Sequence, residues 1–238
     1  SKLGQSSKRD CLAMMSRHAA VAVLTCLVAT VAKASPNASS CALYPYQAEA
    51  WATCVQGAHA RCTNGTEQSP IGFKSCEPET MPMITLHSGW TEPSMAIIRN
   101  TGYTFGLIPQ PPMRGKMVAL GENYTFLQCH FHYGSEHTVG GMQHDLEVHC
   151  PHVRDVVPQG GRTHAVLGRF FSTQGGSATD NAFFAGFLAN VPAPPAAGES
   201  DVFSAPLGPF TFSDVMSGAD MTHYWAYDGS RTTPDCGE

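Results

Sequence analysis

The sequence predicts a mainly β fold in one domain, and three observations carry that prediction. Short runs rich in β-branched and aromatic residues recur between residues 83 and 227, separated by Gly, Pro and Asn turn signals. No shift in composition after Ser40 marks a second domain, and 238 residues suit one large domain. Hydrophobic residues make up 42% and charged residues 14%, a globular balance too apolar for disorder. The net charge of -5, with no basic stripe, argues against nucleic acid as a partner.

The first residues read as a targeting segment. Ser16, Arg17 and His18 lead into an unbroken run of small and apolar residues at 19–32, and Ala32-Lys33-Ala34 fits a small-x-small cleavage pattern. This is the anatomy of a secretory signal cut before Ser35, and the run is short for a membrane span. Residues 1–34 are therefore expected to be signal peptide and upstream sequence, leaving no membrane span in the mature chain. Nine cysteines and three N-glycosylation triplets, at Asn37, Asn64 and Asn123, agree with an exported, glycosylated protein. The compartment, whether extracellular, periplasmic or plastid lumen, is open at this point, as is the oligomeric state.

Along the rest of the chain, residues 41–60 read as an irregular entry segment. Strands are expected at 83–86, 95–99, 103–108, 117–120, 124–133, 145–150 and 165–172. Residues 173–179 and 191–199 read as loops, 181–190 as a helix of a few turns, and 210–212 and 224–227 as brief strands.

The chemistry concentrates in residues 128–152, QCHFHYGSEHTVGGMQHDLEVHCPH. If both ends are strands, the side-chain period of two puts Gln128, His130 and His132 on one face and Glu147 and His149 on one face of the other strand. Side by side, these strands offer three imidazoles to one point, the ligand set of a catalytic zinc site with an open fourth position. Gln128 and Glu147 stand where acceptors orient ligand rings and fix their tautomers. Two unrelated strand histidines are the bland alternative for His130 and His132 alone; the third, matched His149 favours the metal. A cupin, in which Glu136 becomes a ligand in an HxHxxxE pattern, is a structural rival.

Further blocks occur in a fixed order: Gln68-Ser-Pro-Ile, Asn100-Thr-Gly-Tyr, Gln128-x-His-x-His, Ser135-Glu-His-Thr, Leu146-Glu-x-His, Ala165-Val-Leu-Gly, and Gly229-Ser-x-Thr-Thr-Pro-x-Cys. The set resembles the α-class carbonic anhydrases from about Cys62 onward, with a short step from His132 to Glu136 like that of bacterial, plant and algal members. The resemblance implies a large, twisted, mostly antiparallel central sheet with a few short peripheral helices. It implies a Zn2+ cofactor on His130, His132 and His149, and reversible hydration of carbon dioxide to bicarbonate and a proton by zinc-hydroxide attack. Zinc lowers the pKa of bound water from about 15.7 to about 7; this family is the standard case of the effect. The resemblance makes Thr232 the hydroxyl that donates to Glu136, puts Thr233 in the site and Val166 on the apolar wall, and gives Tyr103 the position of the usual proton-shuttle histidine. A phenol, with a reference pKa of about 10, relays protons poorly near neutral pH, and no other histidine can be placed at the pocket mouth from sequence. Turnover limited by proton transfer is therefore expected.

Three departures weigh on that reading. Arg231 stands where a leucine normally packs over the substrate, Pro151 replaces a β-branched wall residue, and the sequence ends soon after the threonine pair, so residues 35–238 read as a domain incomplete at its C-terminus. A catalytically weak or inactive carbonic-anhydrase-related binding protein is the alternative function. Exported relatives tie a cysteine before the Gln-Ser-Pro-Ile block to the one after the threonines, which implies a Cys62–Cys236 disulfide. The strand period turns Cys129 and Cys150 away from the metal, as apolar packing residues that can also meet each other.

Overall fold

A computed structural model describes residues 62, 65–73, 81–92, 94–100, 104–110, 115–159, 161–173, 183–184, 203–233 and 236–237. These fall into two compact units: Phe73–Trp225, and residues up to Gly72 together with Ala226–Glu238. The expected signal segment, Cys41, Cys54, Cys76, Asn37, Asn64, Tyr103 and most of the expected helix at 181–190 lie outside the described residues.

The first unit is built on a nine-stranded sheet, counted among the described residues. The chain passes through β1 (Gly72–Phe73), β2 (Thr85–Leu86), β3 (Ser94–Asn100), β4 (Phe105–Pro109), β5 (Lys116–Ala119), β6 (Glu122–Phe126), β7 (Cys129–Tyr133), β8 (Thr138–Val139), β9 (Met142–Gln143), β10 (Leu146–Arg154), β11 (His164–Phe171) and β12 (Phe203–Phe210). Every pairing in the large sheet is antiparallel. The central strand β10 pairs along its length with β11. Its other edge is shared, β7 lying against residues 146–149 and β6 against residues 152–154.

That sharing corrects one expectation. The single strand read at 124–133 is two strands, because the chain jogs at Leu127 and Gln128, where the Leu127 N–H donates to the Pro151 carbonyl. β10 runs four residues past Cys150 to pair with β6 and close the hairpin to β11. β12 was not legible: Pro206, Gly208 and Pro209 break a strand pattern, yet β12 is an edge strand among the described residues, and an edge tolerates prolines. The strand read at 210–212 is the end of β12 running into a 3-10 helix, Phe212–Met216, whose entry is held by the Thr211 N–H donating to Asp214. Tyr224 and Trp225 join no ladder; the Tyr224 hydroxyl donates to the Pro82 carbonyl and Trp225 stacks on Phe73 at 4.8 Å.

The face of the sheet away from the histidines carries the core. Cys129 and Phe131 of β7, Val148, Cys150 and His152 of β10 and Phe171 of β11 are buried there with Trp90, Phe126, Phe184 and Phe212. Arg169 enters this layer for a polar reason. Its Nη1 donates to the Val215 and Ser217 carbonyls at 2.9 and 2.8 Å, satisfying the end of the 3-10 helix, while its guanidinium lies over Phe171. His152 is fully buried and stacks on Trp90 at 5.5 Å. Cys129 and Cys150 sit opposite each other beside the His130–His149 pair and form a cross-strand disulfide with a Cα–Cα distance of 4.2 Å.

Of the second unit, residues 62, 65–72, 226–233 and 236–237 are described. Cys62 and Cys236 are joined in a disulfide across a separation of 174 residues. The Ser69 N–H donates to Ser230 Oγ and the Ser230 N–H to Ser69 Oγ. Gly229 is required there, since a Cβ would run into the Ser69 hydroxyl and the Tyr227 ring. Arg231, Thr232 and Thr233 ride on this loop, which closes through Arg231 N–H to the Gly237 carbonyl and Cys236 N–H to the Thr233 carbonyl.

Two outcomes follow from the core. Burial lowers the pKa of His152 from 6.5 to about 4, so the folded state excludes a proton that the unfolded chain accepts. The stability this represents is complete above about pH 6.5 and is lost as pH falls toward 4, up to about 3 kcal/mol. In urea titrations at pH 7 and pH 5, His152→Phe should flatten, without abolishing, the loss of stability in acid; an unchanged slope would contradict the assignment. Peptide mapping without reduction should recover Cys129 linked to Cys150, and replacing both by Ala should cost roughly 3 kcal/mol, the chain-entropy value for a loop of this size.

Candidate metal centre

The register of β7 on β10 builds the site. His130 pairs with His149 and His132 with Glu147, so the period of two brings the three imidazoles onto one face. Their ring centroids lie 4.9 Å (His130–His132), 5.4 Å (His130–His149) and 4.6 Å (His132–His149) apart. One ring nitrogen from each falls within 4.8 Å of the others, the spacing of a shared metal ion.

Hydrogen bonds decide which nitrogens face the centre. Nε2 of His149 lies 2.7 Å from Glu147 Oε1 and donates to it, which leaves Nδ1 as the unprotonated nitrogen, 3.5 Å from Glu136 Oε2. Nδ1 of His130 lies 2.9 Å from Gln128 Nε2 and 3.3 Å from Gln128 Oε1, and the Gln128 amide can be turned to exchange the two. With the amide oxygen accepting from Nδ1–H, the ring leaves Nε2 bare. In His132, Nδ1 lies 3.5 Å from Glu136 Oε1, and one ring nitrogen converges with those of His130 and His149, as a shared metal ion requires.

The charges agree. Burial first, then the like charge of neighbouring imidazoles, lowers the pKa of His130 to about 4 and that of His132 further. Both rings are neutral at pH 7, the form that ligates. Glu147 goes the other way. Burial opposes its charge, but hydrogen bonds from His137 and His149 outweigh that and hold its pKa below the usual carboxylate range. A buried carboxylate is thereby kept ionised behind a ligand ring.

His137 is the partner that sequence reasoning missed. Its Nδ1 donates to Glu147 Oε1 at 2.7 Å and its backbone N–H to Oε2 at 3.0 Å. It sits in a turn, where the strand period says nothing; its one sequence signal is its place in the Ser135-Glu-His-Thr block. The turn is locked by Ser135, whose hydroxyl donates to the His137 carbonyl and accepts from the His144 N–H. The β8–β9 hairpin supports it through Gly140 and Gly141, both at positive φ. His137, Glu147 and His149 also cluster closely enough for a metal, but their 2.7 Å contacts are filled by N–H donors.

The other expected site residues divide into three groups. Glu136 lies 3.5 Å from Nδ1 of both His132 and His149, and among the described residues no converging donor set includes it, unlike the cupin pattern. Val166 lies on β11 opposite Pro151, two residues from the His149–Gly168 pair, and is 52% exposed. Arg231, Thr232 and Thr233 belong to the second unit, and Tyr103 lies outside the described residues.

Removing a group that orients a ligand ring typically weakens metal binding 10–100-fold. Glu147→Gln and His137→Phe should each weaken binding of a divalent metal by about that factor, measured by competition with a chromophoric chelator. Glu136→Gln should retain one metal per chain. Metal lost with Glu136→Gln and kept with His149→Ala would reverse the ligand assignment.

The profile of the eukaryotic-type carbonic anhydrases matches residues 47–238. The chain is similar to carbonic anhydrase 6 of Homo sapiens, with 28% identity over 200 residues, 76% of this chain and 61% of the relative. Alpha carbonic anhydrase 4 of Arabidopsis thaliana is 35% identical over 94 residues, 38% of this chain and 33% of the relative. The chain thus spans less than two thirds of either curated relative. The solved alpha-carbonic anhydrase of Photobacterium profundum matches with a TM-score of 0.61 at 25% identity, over 80% of this chain and 76% of that one. By the extent of the profile match and the shared fold, this chain belongs to the eukaryotic-type, α-class carbonic anhydrase family.

Proposed function

We propose that this chain hydrates carbon dioxide reversibly to bicarbonate and a proton, as a zinc enzyme. The observation that supports it most is the convergence of three imidazoles, two of which, His130 and His149, have their outer nitrogen beside Gln128 and Glu147. His130 and His132 would hold the ion through Nε2 and His149 through Nδ1, a three-nitrogen set that suits zinc with one position left open. When bound, the ion supplies a Lewis acid that lets water ionise near neutral pH. Gln128 and Glu147 keep the ligand protons on the outer nitrogens, and His137 keeps Glu147 ionised and aimed. Val166 offers apolar surface for carbon dioxide on the face of β11 that carries Gly168. Thr232 and Thr233 are assigned hydroxyl roles toward substrate on the strength of the family resemblance, and Arg231 a place in the substrate pocket.

Export belongs to the same reading. Two disulfides suit an oxidising compartment, Asn123 of the third glycosylation triplet is exposed on β6, and no helix among the described residues is long and apolar enough to cross a membrane.

Stopped-flow hydration with a pH indicator tests the activity. Zinc-loaded protein should accelerate hydration far above buffer, chelation should remove the acceleration and zinc restore it, and His149→Ala should stay at background. Protein carrying one zinc per chain without acceleration would contradict the reading and favour a binding role.

A further inference from the structure

Hydration of one carbon dioxide by one water leaves one proton to be carried to solvent, so the proposed function needs an exit group. The β10–β11 hairpin supplies one. His149 pairs with Gly168, Pro151 with Val166, and Val153 with His164. Alternation puts His149, Pro151 and Val153 on one face with Gly168, Val166 and His164. Gly168 identifies that face, because a Cβ there would lie 3.7 Å from both Glu147 Oε1 and His149 Cδ2. His164 therefore stands on the metal face, four residue pairs beyond His149, roughly 13 Å along the strand.

His149 is 4% exposed, whereas Gly168, Val166 and His164 on the opposite strand β11 are exposed, Val166 at 52%. Nδ1 of His164 lies 2.7 Å from Thr163 Oγ1, which holds the ring and leaves Nε2 for a second partner. Pro151 and Val166 lie between His164 and the centre on this face, so a relay through His164 requires a chain of water rather than a direct hydrogen bond. Other nearby histidines are unsuited. His137 donates Nδ1 to Glu147, His144 has its Nε2 buried, and His152 is in the core on the opposite face. The charged neighbours on the hairpin are engaged, Arg154 with Glu122 and Asp155 with Lys116.

We propose that His164 is the proton-relay residue of this site, an inference that rests on the hydration reading. A proton released from water at the centre passes through intervening water. An N–H bond forms at His164 Nε2 as the O–H of the last water breaks, and that N–H then breaks to a base in solution. An imidazole suits the task because its second ring nitrogen can take up a proton and pass it on.

Two measurements test this. In low buffer, His164→Ala and His164→Gln should lower kcat for hydration about tenfold or more, leave kcat/KM unchanged, and be rescued by added imidazole. In protein loaded with cobalt(II), the His164 ring protons, assigned by their loss in His164→Gln, should show paramagnetic shifts that mark their proximity to the metal. An active wild type with unchanged kcat in both variants, or diamagnetic His164 resonances in the cobalt protein, overturns the relay alone. A zinc-loaded wild type with no hydration overturns the function and the relay with it.

Discussion

Everything at the site depends on one register, His130 opposite His149 across β7 and β10. Side chains alternate with a period of two, so a slip of one residue would turn an entire set of ligands into the core and bring Cys129 and Phe131 to the metal face. The molecule holds this pairing from several sides. β4 pairs with β7 on its far edge, setting Gly106 opposite His130. β11 runs along β10 from Leu146 to Val153. Directly beside the ligand pair, on the core face, the Cys129–Cys150 disulfide links the two strands covalently.

Around that register the polar groups form an ordered series. His130 and His132 are neutral because burial disfavours their charge. Glu147, buried beside them, is ionised because His137 and His149 give it hydrogen bonds. An ionised acceptor behind the ring holds the proton on His149 Nε2 and leaves Nδ1 for a metal. Burial alone would have neutralised the carboxylate and left the ring free to choose its tautomer. The geometry of a turn, through His137, thus acts on a ligand it does not touch at the metal end.

The central part of the site was legible in the sequence because strands make facing predictable. Gln128, His130, His132, Glu147 and His149 could be assigned to shared faces from spacing alone, and the ordered blocks supplied the pairing of their strands. What was not legible depends on connections that spacing does not encode. His137 reaches Glu147 from a turn. β12 carries prolines that argue against a strand until its edge position is known. The Cys129–Cys150 bond requires the two cysteines to be opposite rather than merely on one face. His164 joins the metal face only through the register of a long hairpin, which is why the sequence offered no histidine for the mouth of the site.

X-ray absorption at the zinc edge of the loaded protein tests the central claim most directly. The account predicts three nitrogen scatterers at about 2.0–2.1 Å with imidazole outer-shell features and one further light ligand. A sulfur scatterer near 2.3 Å, which would place Cys129 or Cys150 on the metal face, or a shell with fewer than three imidazoles, would contradict it.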